Sequence, residues 1–227
     1  MLLDPAALDL EQLFRSPSMF DSRADWAAAG FDVLDRRDDA DKIMVGRHPL
    51  VPGILFKKYR AQFPISRQRE NYERRIEGAD RLRVFVGDRQ LRFVVVPRKQ
   101  LVQLPPPFCS EEPTHVLAVE ELDLTSHRKT RSAYRRIRPE VLGELCLVLF
   151  HFRGLDSITD NVPFTAGGKL AFVDTENWHR GRRRRHLCHI GEHLSPQALA
   201  LSEQFFRELE EGGGHYGRGA SGAPDSP

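Results

Sequence analysis

Cysteine is scarce in this chain of 227 residues: Cys109, Cys146 and Cys188 are the whole set, odd in number and without framework spacing. That excludes a disulfide-stapled scaffold and favours a reducing compartment. Net charge is small as well. Lys and Arg total 34 against 32 Asp and Glu, leaving +2, so bulk electrostatics do not point to nucleic acid. Long apolar runs are missing too. The longest mostly apolar stretch, 141–152, contains Glu144 and is too short to span a bilayer. The opening MLLDPAALDLEQLF mixes acids with apolar residues and has no basic segment ahead of them, which argues against a secretory signal. A soluble, cytoplasmic protein is expected, with export lacking a cleaved signal as the alternative. What is present is ordinary for a globular chain: 40% hydrophobic and 29% charged residues, enough for one core or two small lobes sharing a cleft.

Periodicity predicts an α+β protein. Residues 1–41 read as short helical pieces anchored by Phe14, Phe20 and Trp26. IMVG and ILFKKY read as two strands joined through Pro49, Pro52 and Gly53. Residues 65–83 form a charged helix with a narrow apolar stripe of Tyr72, Ile76, Ala79 and Leu82. Two further strands are expected at 91–96 and 115–119, separated by the LPPPF loop. Pro139 opens an apolar helix, since proline in the first turn loses no intrahelical hydrogen bond. Short strands at 162–164 and 170–173 flank a turn at Gly167 and Gly168, and Ser195-Pro196 caps a last amphipathic helix. The divisions expected are a helical extension at 1–41, a β-rich part with the charged helix at 42–124, a reduced helical part at 125–210, and a tail at 211–227 that is flexible by composition.

The segment GLDSITDNVPFTAGGKLAFVDTE places Asp156 five positions before Asn161, then a hairpin, then Asp174 at the end of an apolar strand. It resembles the catalytic loop and metal-binding segment of protein kinases. The resemblance implies a two-lobed kinase-like fold with a truncated C-terminal lobe. It also implies ATP with Mg2+ (or Mn2+) as cofactors, and phosphate transfer to a protein or small-molecule hydroxyl. In that likeness Asp156 orients the acceptor hydroxyl or takes its proton, while Asn161 and Asp174 hold the metal, to which hard oxygen donors are suited. ILFKKY resembles the strand whose lysine grips the α- and β-phosphates, which assigns that role to Lys57, with Lys58 on the other face as the fallback. The helix that follows should supply a glutamate to pair with it. Glu73 is the candidate, sharing a face with Ile76, and Glu70 and Glu77 stay open. HVLAVEELDL resembles the strand and hinge that present backbone groups to adenine, at Val119, Glu120 and Glu121.

The chain also departs from the kinase pattern. Gly154-Leu155 stands where the family has His-Arg, no lysine follows Asp156 by two positions, and Thr175-Glu176 follows Asp174. No GxGxxG precedes Lys57, and no activation segment is recognisable. A pseudokinase acting as a partner-binding module is therefore the alternative function. A third is a basic nucleic-acid-binding module built on Arg180, Arg182, Arg183, Arg184 and Arg185, against which the low net charge weighs. Those arginines suit an acidic or phosphorylated partner through bidentate contacts. His186, Cys188, His189 and His193 are potential zinc ligands whose spacing matches no common structural site.

Overall fold

A computed structural model of the chain describes residues 10–14, 22–34, 43–59, 64–104, 114–178, 187 and 189–212. It is a mixed α+β protein. Helices α1 (Leu10–Leu13) and α2 (Arg23–Ala28) lead into strands β1 (Asp32–Val33), β2 (Ile43–Arg47) and β3 (Ile54–Tyr59). Helix α3 (Ile65–Asp88) follows, then β4 (Val94–Val95), β5 (Lys99–Gln103) and β6 (His115–Glu120). Helices α4 (His127–Arg135) and α5 (Pro139–His151), strand β7 (Leu170–Ala171), a 3-10 turn (Gly191–His193) and helix α6 (Pro196–Gly212) complete the order. Five strands form one antiparallel sheet in the order β1-β2-β3-β6-β5, and β4 pairs in parallel with β7.

Alternation along the strands gives the sheet two buried faces. Met44, Ile54, Phe56, Val102, Val116 and Ala118 pack against Leu13, Phe14, Trp26 and Phe31 from the N-terminal helices and the residues that follow them. Trp26 lies flat on Phe31, at 4.9 Å between ring centroids and 5° between planes. Gly46 makes room for this layer, because a Cβ there would stand 2.9 Å from the indole. The opposite face, with Leu55, Tyr59, Leu117 and Val119, receives Tyr72 and Ile76 of α3. Further along α3, Ala79 and Leu82 enter a separate cluster with α5, the 162–172 hairpin and α6. A helix of this length, about 36 Å at 1.5 Å per residue, serves both cores.

Helix α5 is buried almost all round, as its run of Val141, Leu142, Leu145, Cys146, Leu147, Val148 and Leu149 dictates. Its one interior acid acts as a structural clamp. The Glu144 carboxylate accepts from the amides of Arg92, at 2.9 Å, and Phe93, at 2.7 Å. Those bonds fix the entry to β4. Gly78 brings α3 against the segment after β7, since a Cβ there would lie 2.3 Å from the Thr175 carbonyl oxygen. Among the described residues no helix is long and apolar enough to cross a membrane.

Three expectations are corrected. The strand expected at 91–96 shrinks to Val94–Val95 and leaves the main sheet; the strand that fills the sheet edge is Lys99–Gln103. Pro97 lacks an N–H and separates the two, and KQLVQ carries little apolar signal. The charged helix runs to Asp88 because Val84, Phe85 and Val86 continue it past residue 83. Helix α4 is an addition to the expected elements, since Thr130 and Tyr134 are the buried positions in a sequence otherwise dominated by charge.

Candidate functional site

The face of the sheet that receives α3 carries charge at one end. β3 alternation sets Lys57 on the side of Leu55 and Tyr59. Lys58 alternates with it and is 4% exposed, donating to the Gln68 side-chain oxygen on the first turns of α3. Lys57 is partly exposed and makes no hydrogen bond or ion pair with the described residues. Burial pushes its pKa down to about 8, with repulsion from Arg75 adding to the fall and Asp174 opposing it.

Asp174 reaches this point through the hairpin. After Asp156, the Ile158 amide donates to the Asp156 carbonyl at 2.9 Å, and the Asn161 and Val162 amides donate to the Ile158 carbonyl at 3.1 and 3.0 Å. The Val173 amide then donates to the Asn161 carbonyl at 3.0 Å, which stitches Asn161 beside the strand end that delivers Asp174. The reversal between the arms uses Gly168 at φ +78, a backbone conformation open to glycine. The side chains of Asp156 and Asn161 are partly exposed and make no hydrogen bond or ion pair with the described residues.

Asp174 meets an arginine rather than an open cleft. Arg75 Nη1 lies 3.0 Å from Asp174 Oδ1, and its Nη2 pairs with Glu176. The Arg75 side chain is 9% exposed. Burial disfavours its charge, but Asp174, Tyr59 and Glu176 outweigh that and raise its pKa. Burial likewise works to raise Asp174, and Arg75, Lys57 and Lys99 together hold it below the ordinary carboxylate value. Lys99, on β5, completes the cluster: its Nζ donates to the Thr175 hydroxyl at 2.8 Å, which donates to the Arg75 carbonyl at 2.7 Å. Burial first, then Lys57, pushes the Lys99 pKa well down.

The structure does not bring Glu73 to Lys57. Glu73 pairs with Arg69 at 2.8 Å, Glu77 with Arg81 at 2.9 Å, and Glu70 with Arg74, all along the solvent side of α3. The inward edge is Gln68, Tyr72, Arg75, Ala79 and Leu82, buried at spacings of four and three. At ~100° per residue Glu73 lies far around the helix from that edge, and the charged residue facing the sheet is Arg75. The stripe was readable in the sequence, but an arginine in it interrupts the apolar signal. Lys99 likewise carried no motif.

Val119 is buried in the sheet. The Glu120 amide donates to the Arg98 carbonyl at 2.9 Å, and the Glu121 amide donates to the Gly53 carbonyl at 2.8 Å. Their carboxylates hold Arg98 and Arg47. The two amides expected to face adenine are thus engaged within the fold.

For a metal, Asp174 Oδ2 and the Asn161 carboxamide are hard oxygen donors of the kind magnesium takes, while Oδ1 is held by Arg75 and by the Glu176 amide at 3.2 Å. Arg75 and the protonated Lys57 face that carboxylate, so a bare divalent ion is repelled; the donors fit a metal that arrives with the negative charge of phosphates. Among the described residues no group of three or more His, Cys, Asp or Glu side chains suits an ion. His189 pairs instead with Glu192 at 3.4 Å. His186, Cys188, Arg180, Arg182, Arg183, Arg184 and Arg185 lie outside the described residues.

As built, then, the cluster sets the unengaged Lys57 amine, protonated below about pH 8, beside an Arg75 that is already paired with two carboxylates. That ammonium is the group there to which an anion is drawn. Compared with models of known protein families and with curated proteins, the chain matches none.

Proposed function

We propose that this chain is a kinase-like domain whose cleft takes the phosphates of a nucleotide at Lys57. The sheet with α3 is the small lobe, and α4, α5 and α6 with the hairpin form a reduced helical lobe. The observation that carries the reading is that Lys57 and Asp174, far apart in sequence, come within electrostatic reach of each other around Arg75, which pairs with Asp174 at 3.0 Å, while the Asn161 carbonyl accepts from Val173, next to Asp174. On this reading ATP binds with Mg2+ or Mn2+, Asp174 and Asn161 serve as metal ligands, and Asp156 serves the acceptor hydroxyl of a protein or small molecule. Arg75 does not forbid this, because a metal that takes Asp174 leaves the guanidinium paired with Glu176.

A second reading, a pseudokinase acting as a partner-binding module, is favoured by Arg75 on Asp174 and by the engaged amides of Glu120 and Glu121. Thermal denaturation with ATP, with and without magnesium, decides between them. A ligand at a hundred times its dissociation constant stabilises the fold by about 2.7 kcal/mol. Phosphotransfer predicts a shift that Lys57→Met reduces and whose magnesium-dependent part Asp174→Asn removes. A shift indifferent to magnesium supports the pseudokinase, and no shift at millimolar ATP ends the nucleotide reading.

A further inference from the structure

The chain is close to charge balance, yet one stretch departs from it. From His127 to Arg138 stand Arg128, Lys129, Arg131, Arg135, Arg136 and Arg138, with no Asp or Glu among them. Helix α4 turns Thr130 and Tyr134 inward, where both are fully buried. At ~100° per residue, Arg128, Arg131 and Arg135 fall within about 60° of one another, turned away from that buried edge, and all three are exposed. None of the three side chains makes an ion pair or hydrogen bond with the described residues.

No acid within the stretch offsets this charge. Arginines three and four residues apart repel one another. The first turn of α4 holds cations and no acid, although the helix dipole favours anions there. A carboxylate stands at the edge of the face: Asp160 Oδ1, 3.0 Å from His127 Nε2. The field is felt next door by His193, on the 3-10 turn packed against α4, whose proton affinity is lowered by burial and then by Arg131, against the opposing Glu192, with Arg135 and His127 adding.

We infer that the face formed by Arg128, Arg131 and Arg135 docks an acidic, extended segment of a protein partner. The stripe spans seven residues of helix, about 10 Å, a length that about three residues of extended peptide cover. Tyr134 is buried, and the other ring of α4, His127, is engaged by Asp160 and Thr159, which leaves the helix no uncommitted ring on which a nucleic-acid base could stack. The N-terminal end of α4 also touches the loop that begins at Asp156, since His127 Nε2 lies 3.1 Å from Thr159 Oγ1. Under the kinase-like reading, on which this last step rests, the docked partner is an acceptor held beside Asp156. Capture itself needs neither nucleotide nor metal.

Fluorescence anisotropy with the full chain tests this, using a labelled Glu-rich peptide, its Gln counterpart and a single-stranded oligonucleotide of equal charge. The Glu-rich peptide binds, more weakly as salt rises, and the Gln peptide does not. Combining Arg128→Gln, Arg131→Gln and Arg135→Gln weakens capture about tenfold or more, while the fold is no less stable and any ATP-dependent shift persists. No capture by the wild type, or capture unchanged by the triple substitution, overturns the inference. Tighter oligonucleotide binding that the triple substitution abolishes also overturns it, by assigning the face to nucleic acid. Peptide capture by a wild type that shows no ATP shift ends the nucleotide reading and leaves the docking face standing.

Discussion

Cations crowd two regions of this molecule, the cleft around Asp174 and the outer side of α4, and the fold treats them in opposite ways. In the cleft, Arg75 and Lys99 are buried, and their hydrogen bonds run through Asp174, Thr175, Glu176 and the α3 backbone. On α4, Arg128, Arg131 and Arg135 stand in solvent with no partner among the described residues. Water accounts for the difference. A buried charge must be compensated inside the fold or its pKa moves, whereas a solvated one needs no internal partner and stays available to an external one. Charge in the cleft therefore belongs to structure and ligand together, and charge on α4 belongs to recognition.

The comparison is broken most directly at Arg75. Arg75→Met leaves Asp174 and Glu176 partly buried without their main counter-ion. Removing one member of a buried pair costs about 3–5 kcal/mol. The low end, about 3 kcal/mol, is expected here because both carboxylates keep some solvent, at 29% and 22% exposure, and Lys57 and Lys99 remain near Asp174. Urea denaturation measures it. A loss within about 0.5 kcal/mol, the size of an ordinary surface change, would mean that the cleft cations are as expendable to the fold as those on α4.

pH sharpens the contrast. Lys57 titrates near 8 in the folded chain, below its ordinary 10.5. It is charged in both folded and unfolded chains below that point. Between about 8 and 10.5 the unfolded chain binds the extra proton, so stability attributable to this group rises with pH in that window. Anion affinity moves the other way. A phosphate that needs the ammonium loses about tenfold per pH unit above 8, readable as a shrinking ATP-dependent thermal shift. Peptide capture on α4 should stay flat over the same range, because arginine keeps its proton. Nucleotide affinity that is equally flat would take Lys57 out of the phosphate site.

What could be read in advance followed from how local the signal was. The α5 helix declares itself by its apolar run and Pro139, and the hairpin by its turn glycines, although of the strands expected at 162–164 and 170–173 only Leu170–Ala171 forms, with Phe164 joined to it by a single bridge. The Lys57 face follows from simple alternation. Arg75 and Lys99 escaped because their roles depend on which edge of α3 meets the sheet and on which strand fills its border, both set by packing over long sequence separations. Helix α4 escaped because two buried positions, Thr130 and Tyr134, make too faint a stripe against its charge.

The smallest expected effect is the most telling about sign. Replacing Arg128, Arg131 and Arg135 with glutamine removes no internal partner, keeps good helix formers, and relieves repulsion between cations three and four residues apart. Each like-charge pair on a helix destabilises by about 0.2–0.5 kcal/mol, so the triple variant should be slightly more stable than the parent. The gain should be largest at low ionic strength and fade as salt screens the surface charges over shorter distances. Thermal melts at two salt concentrations measure it. A clear loss of stability, or a change indifferent to salt, would mean that these arginines are bound within the chain after all, and the division between a structural cleft and a free face would fall.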